Sequence, residues 1–168
     1  MDRAGALAEF DEARDEFTAA IKKPPEESLG YLKPGDDYAL GGLIHHVNWV
    51  LRHYGRVLDA VVEGDFGPTT ASDSQDPAEE ANKLAKAGLP PGKRDAVLSE
   101  TAQLHRGIVA RLDKLRESDW DRKAPIVYGQ GDPYPTSPSD VLGWLKDHYL
   151  EHVPHAQQLH EDWKQARS

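Results

Sequence analysis

Apolar residues in this chain recur with the period of a helix over four long stretches, and nowhere do they sustain the alternation of a strand. Leu7, Phe10, Phe17 and Ile21 mark one stripe across residues 3–22. Lys22-Lys23-Pro24-Pro25 ends it, because proline restrains the residue before it and cannot carry the helix on. A second stripe begins near Tyr38 and gathers Leu40, Leu43, Ile44, Val47, Val50, Leu51, Tyr54, Val57, Leu58 and Val61 before it stops at Gly64. A third spans residues 94–117 with Val97, Thr101, Leu104, Ile108, Leu112 and Leu115. The last opens at Ser137-Pro138-Ser139-Asp140, a cap, a first-turn proline and an acidic third position, and runs through Val141, Trp144, Leu145, Leu159 and Trp163. Asp76-Pro77-Ala78-Glu79 opens a shorter helix by the same logic, closed by Gly88-Leu89-Pro90-Pro91-Gly92.

Four helices with one apolar stripe each bury those stripes together. The expected fold is therefore all-α: a four-helix bundle in a single domain over residues 1–168, with one additional short helix. Residues 118–136 form a long loop before the last helix, in which only Pro125-Ile126-Val127-Tyr128 reads as extended. A segment of that kind often lines a pocket, with Tyr128 as a polar contact; an ordinary surface loop with packing aromatics is the alternative.

Composition removes several kinds of function. The chain of 168 residues is long enough for a core without staples. It has no cysteine, which excludes disulfides, thiolate metal sites and a cysteine nucleophile. Its net charge of −9 comes with no lysine/arginine stripe, which argues against nucleic acid and against a basic membrane-surface helix. No apolar run is long enough to span a bilayer. Met1-Asp2-Arg3-Ala4-Gly5 lacks the layout of a signal peptide, so the expected location is the cytoplasm and the expected partner a small-molecule substrate.

Eight histidines remain to be explained. His148 and His152 are four apart, so on a helix they stand one turn above the other and point the same way. At about 100° per residue they fall in the sector of Val141, Trp144, Leu145, Ala156, Leu159 and Trp163, with His155 near its edge and His160 toward the polar side. On the second helix His46 flanks the apolar stripe. His45 lies opposite it and is expected in solvent, and His53 follows the side of His46 but further out. His105 falls at the edge of the third long stripe, where a hydrogen-bonded core histidine is expected rather than a ligand.

Stacked imidazoles at this spacing either grip one divalent ion or hydrogen-bond to backbone and carboxylates. With His46 as third ligand, three neutral imidazoles suit zinc, and nickel, copper and ferrous iron are chemically compatible. Three protein ligands leave a position for water or a substrate atom, the arrangement of a catalytic rather than a structural site. His148-x-x-Glu151-His152 also matches the inverted zinc-protease pattern, with Glu151 as general base. That architecture needs a carboxylate ligand well downstream, and only 16 residues follow His152.

The order of these segments carries a family resemblance. Leu43-Ile44-His45-His46-Val47 on helix two, followed by Asp147-His148-Tyr149-Leu150-Glu151-His152 on the final helix of an all-helical chain, resembles the DinB/YfiT-like superfamily. The resemblance implies a four-helix bundle, often a homodimer, with a divalent metal, usually zinc or nickel, held by three histidines at one end. It implies His46, His148 and His152 as ligands, and a thiol-dependent S-transferase using bacillithiol, mycothiol or glutathione as one activity of the family. Two departures stay open: the doubled histidine allows His45 in place of His46, and Gln158, three residues after His155, makes His155 a rival to His152. Pro154 between them removes a backbone donor and can bend the helix.

Two functions follow as expectations. In the first, a divalent ion at the triad lowers the pKa of whatever fills its open position: water gives a hydrolase, a low-molecular-weight thiol gives an S-transferase. With no cysteine in the chain, the thiol comes from a cosubstrate. Glu151, on the flank of the His148/His152 face, acts as base or orients a histidine, or is a solvated helix glutamate. In the second, the bundle is a non-catalytic binding module whose metal is structural or absent.

Overall fold

The computed structural model describes residues 2–71 and 78–168. Helix α1 (Arg3–Lys22) starts where the Asp2 carboxylate accepts the Gly5 N–H at 2.8 Å, and it buries Phe10, Ala13, Phe17, Ala20 and Ile21. Helices α2 (Gly42–Glu63), α3 (Ala78–Ala87), α4 (Arg94–Asp113) and α5 (Pro138–Ala166) follow. Helix α1 packs along α5, while α2 lies against α4, α3 and α5. The expected cap at Asp76 and Pro77 lies outside the described residues. The capping box of α5 is present: Ser137 Oγ accepts the Asp140 N–H at 3.1 Å, and the Asp140 carboxylate accepts the Ser137 N–H at 2.9 Å.

Two helix ends differ from the periodicity. Helix α2 starts at Gly42 rather than near Tyr38 because the backbone before it is used elsewhere. The N–H groups of Ala39, Leu40 and Gly41 bond the carbonyls of Ala85, Tyr31 and Leu29, each at 2.9 Å. Ala39 and Leu40 are buried as part of this connection, and periodicity reports burial whether or not the backbone is helical. Helix α4 ends at Asp113, short of residue 117, and a 3-10 turn at Glu117–Asp119 delivers Trp120 into the core.

The helical bundle expected from the sequence is present, and among the described residues it also carries a small three-stranded sheet. Strand β2 (Ala124–Tyr128) pairs in parallel with β1 (Thr69–Ala71) and antiparallel with β3 (Tyr134–Thr136). The segment 118–136 is thus largely a hairpin and not an irregular loop. Ala124 and Ile126 join Val57, Val61 and Phe66 in a second, smaller core, which seats the sheet on the far end of α2. Strands of three residues are too short to show an alternation, so β1 and β3 left no periodic trace.

The main core runs from Phe10, Phe17 and Ile21 through Leu43, Ile44, Val47 and Leu51 to Ile108, Leu112, Leu142, Leu145 and Tyr149. Inside it Asn48 ties α2 to α4: its Nδ2 donates to the Val97 carbonyl at 3.3 Å and its Oδ1 accepts the Thr101 hydroxyl at 2.6 Å. Two positions read as opposite to their observed sides. Trp144 is not inward but 37% exposed, turned toward Tyr54, Tyr128 and Tyr134. His160 is not on a polar face but buried, because the connection after α1 returns over the last turns of α5 and is held there by Lys33–Asp162 (3.0 Å) and Arg167–Glu27 pairs. Helix α5 continues without a break through Pro154. No helix among the described residues is long and apolar enough to cross a membrane.

Candidate metal centre

Helix α2 is seated on the end of α3 before it reaches the site. A Cβ at Gly42 would stand 1.7 Å from the Ala85 carbonyl oxygen, so only glycine lets α2 begin there. One turn on, His46 leaves the apolar face formed by Leu43, Val47 and Val50 and points toward α5. The two helices run antiparallel, with His46 opposite His148 and Tyr54 opposite Trp144.

His46 Nε2 lies 2.9 Å from His148 Nε2, which in turn lies 3.1 Å from His152 Nε2. One ring nitrogen from each of the three is within 4.8 Å of the others. Nitrogens about 2.0–2.1 Å from a tetrahedral zinc ion stand roughly 3.3 Å from one another, so the cluster has the dimensions of a cation cradle. The rings are held at steep angles, His148 to His152 at 84° and His46 to His152 at 83°, so their edges rather than their faces converge.

Burial decides the protonation state. It lowers His46 and His148 to about 4, with the neighbouring imidazoles adding to the shift, and lowers His152 to about 3. All three are neutral at pH 7. A neutral imidazole carries one proton, and His148 Nε2 cannot donate to two ring nitrogens at once. Its Nε2 bears either one proton or one lone pair, so at most one of its two short contacts is a good hydrogen bond, and a shared cation would satisfy all three nitrogens. The donor set is neutral imidazole nitrogen throughout, which fits a borderline divalent ion such as zinc or nickel.

The other histidines separate clearly. His45 is partly buried rather than solvated; burial lowers its pKa, and the charges of Glu100 on α4 and Arg52 on α2 act on it in opposite directions. His53 stacks on Trp49 at 5.2 Å. His105, 1% exposed, is a bonded core residue: Nε2 to Asp11 Oδ1 at 2.7 Å, Nδ1 to the Tyr149 hydroxyl at 3.1 Å, and its ring stacked on Phe10. His155 lies on the opposite edge of His152 from the triad, Nδ1 to Nδ1 at 3.3 Å. Glu151 is exposed on α5 between His148 and His152, and its charge acts on the Tyr38 phenol.

Two residues at the centre had gone unnoticed in the sequence. Tyr38 packs its ring 4.5 Å from His46 and stands edge-on to His152 and His155. Burial, and then the charges of Asp37, Glu151 and Asp36, raise its pKa and keep it a phenol. Asp36 lies in the turn just before it, with Oδ2 3.4 Å from His155 Nε2. Both belong to a connection between helices, where no periodicity points to a side chain's direction; the Pro34-Gly35-Asp36 turn was the one local sign.

Comparison with known proteins agrees with this architecture. The crystal structure of a mycothiol-dependent maleylpyruvate isomerase superposes with a TM-score of 0.70 over 91% of the chain, at 12% sequence identity, which establishes a shared fold. The chain spans 60% of the length of that protein. No curated protein matches the sequence. The model of the DinB superfamily matches residues 9–156, nearly the whole bundle including α2 and the histidine-bearing turns of α5, and the chain belongs to the DinB superfamily.

Proposed function

We propose that this chain is a divalent-metal-dependent enzyme of the thiol S-transfer class, with His46, His148 and His152 as the metal ligands and zinc or nickel as the ion. The observation that carries the reading is the convergence of three neutral imidazole nitrogens from α2 and α5 at 2.9 and 3.1 Å. A divalent ion held there would supply a Lewis-acidic position that lowers the pKa of a bound thiol. The chain has no thiol of its own, so a low-molecular-weight cosubstrate brings it, and the mycothiol dependence in the name of the structural neighbour supports that choice.

The chain's own residues divide the remaining work. The three imidazoles contribute no charge, so a bound ion keeps its full electrophilicity. Tyr38 covers one side of the cluster. Glu151, exposed at the level of the triad, accepts the proton of the incoming thiol. The second substrate is a small electrophile. The working protein under this reading is a cytoplasmic homodimer.

Elemental analysis of protein purified without a nickel column tests the metal. Roughly one equivalent is expected, lost in His148→Ala and retained in Glu151→Gln. A panel of thiols with an electrophilic acceptor tests the reaction, with Glu151→Gln expected to lower kcat. Turnover without any thiol would instead make the protein a hydrolase. No turnover by the metal-loaded protein under either condition would leave a binding module.

A further inference from the structure

His155 and Asp36 form a chain of polar contacts that ends on a proposed metal ligand. Asp36 is held first. Its Oδ1 accepts the backbone N–H groups of Asp37 at 2.8 Å and Tyr38 at 3.3 Å, which pins the carboxylate and leaves Oδ2 directed at His155 Nε2, 3.4 Å away. His155 Nδ1 then meets His152 Nδ1 at 3.3 Å. Neither residue is freely solvated, since the side chains of His155 and Asp36 are 28% and 22% exposed.

The proton positions along this chain are set from one end. If His152 offers its Nε2 lone pair to an ion, its single proton sits on Nδ1 and the N–H donates to His155 Nδ1. His155 then carries its own proton on Nε2 and donates to Asp36 Oδ2. Every donor meets an acceptor, and the only negative charge lies at the end away from the ion. The same geometry keeps His155 out of the ligand set, because its nitrogens lie beyond the far edge of the His152 ring.

We infer that Asp36 and His155 are positioning residues: they hold His152 in its ligating tautomer and orientation and raise the donor strength of its Nε2. This rests on the proposed metal site and extends it by two residues that neither the family match nor the histidine spacing assigns. Outer partners of a ligating histidine are typically worth about 10–100-fold in metal affinity.

The test is zinc affinity by competition with a chromophoric chelator, together with the visible absorption spectrum of the cobalt-substituted protein. His155→Leu removes both contacts. Asp36→Asn keeps an oxygen for the two backbone donors and turns an NH2 toward the His155 N–H. Each is expected to weaken zinc binding about 10–100-fold and to alter the cobalt absorption. His155→Gln keeps an acceptor toward His152 and a donor toward Asp36, and is expected to restore most of the affinity. Thermal unfolding in excess chelator checks that the fold is kept. If His155→Leu does not fold, the contrast between Asp36→Asn and His155→Gln decides in its place.

Zinc binding unchanged in His155→Leu and Asp36→Asn, with the wild-type cobalt spectrum, would overturn this inference alone. Loss in His155→Gln equal to that in His155→Leu would also overturn it, since only packing or direct ligation would then be at stake. A wild-type protein that binds neither zinc nor cobalt would end the metal reading and this one with it.

Discussion

His46 and His148 reach across the interface of α2 and α5 until their Nε2 atoms stand 2.9 Å apart. In the metal-free protein these nitrogens compete for too few protons, so His148 contributes little to stability there. Zinc at the proposed site would reverse the balance, because an ion that binds only the folded chain stabilises it by about 2.7 kcal/mol at 100 times its dissociation constant. His148→Ala is therefore expected to unfold near the wild-type temperature in excess chelator, yet to lose the rise that zinc gives the wild type. Paired thermal melts check this; an equal rise in both proteins would remove His148 from the ligand set.

The metal-free protein is also expected to lose stability in mild acid. Burial holds His46 and His148 at about 4 and His152 at about 3, against 6.5 for an ordinary histidine. Folded values below unfolded ones mean that the unfolded chain takes up protons first as pH falls. The contribution is complete above about pH 6.5 and is lost progressively down to about 4 for two of the groups and 3 for the third. Denaturant unfolding in chelator across this range gives the slope. A His46→Ala/His148→Ala variant should show a shallower slope between pH 6.5 and 4.5, and parallel curves would refute the assignment.

One substitution, glycine to alanine, should act with opposite sign at two places. At Gly42 a new Cβ would meet the Ala85 carbonyl at 1.7 Å, and the same oxygen accepts the Ala39 N–H. Backbone must move on both sides, so Gly42→Ala is expected to cost about 3 kcal/mol or more. Gly143, within α5, has nothing within 4 Å of its would-be Cβ, and Gly143→Ala should stabilise by about 0.5–1 kcal/mol through helix propensity. Urea unfolding measures both. A mild Gly42→Ala would mean that α2 and α3 are not seated together as described.

Much of this was legible in the sequence. The spacing of His148 and His152 sets their common direction once α5 exists, and the capping box at Ser137 and the stripe of Val141, Leu145 and Leu159 announce α5. His46 followed from its place beside Leu43 and Val50, whereas His45, expected in solvent on the other side of the same turn, is partly buried. Helical phase failed where tertiary wrapping overrides it. His160 is covered by a returning connection that no helical wheel contains, and Trp144 faces a sheet whose strands are too short to announce themselves. Asp36 and Tyr38 were invisible for a related reason: a loop residue's direction comes from the hydrogen bonds that fold the loop, some local, as from the Tyr38 N–H to Asp36, and some between distant segments, as from Ala39 to Ala85.

Tyr38 offers the sharpest check on that loop. Its ring lies 4.5 Å from His46 and edge-on to His152 at 5.9 Å, so it packs against two of the proposed ligands. Aromatic pairs of this kind contribute about 0.5–1.5 kcal/mol beyond the area they bury, equivalent to about two- to tenfold in an equilibrium constant. Tyr38→Ala is expected to weaken zinc binding by that factor, and Tyr38→Phe, which keeps the ring, to leave it unchanged. Chelator competition distinguishes them. An equal loss in both variants would transfer the effect from the ring to the phenol oxygen, and no loss in either would mean that the connection before α2 merely lies beside the centre without supporting it.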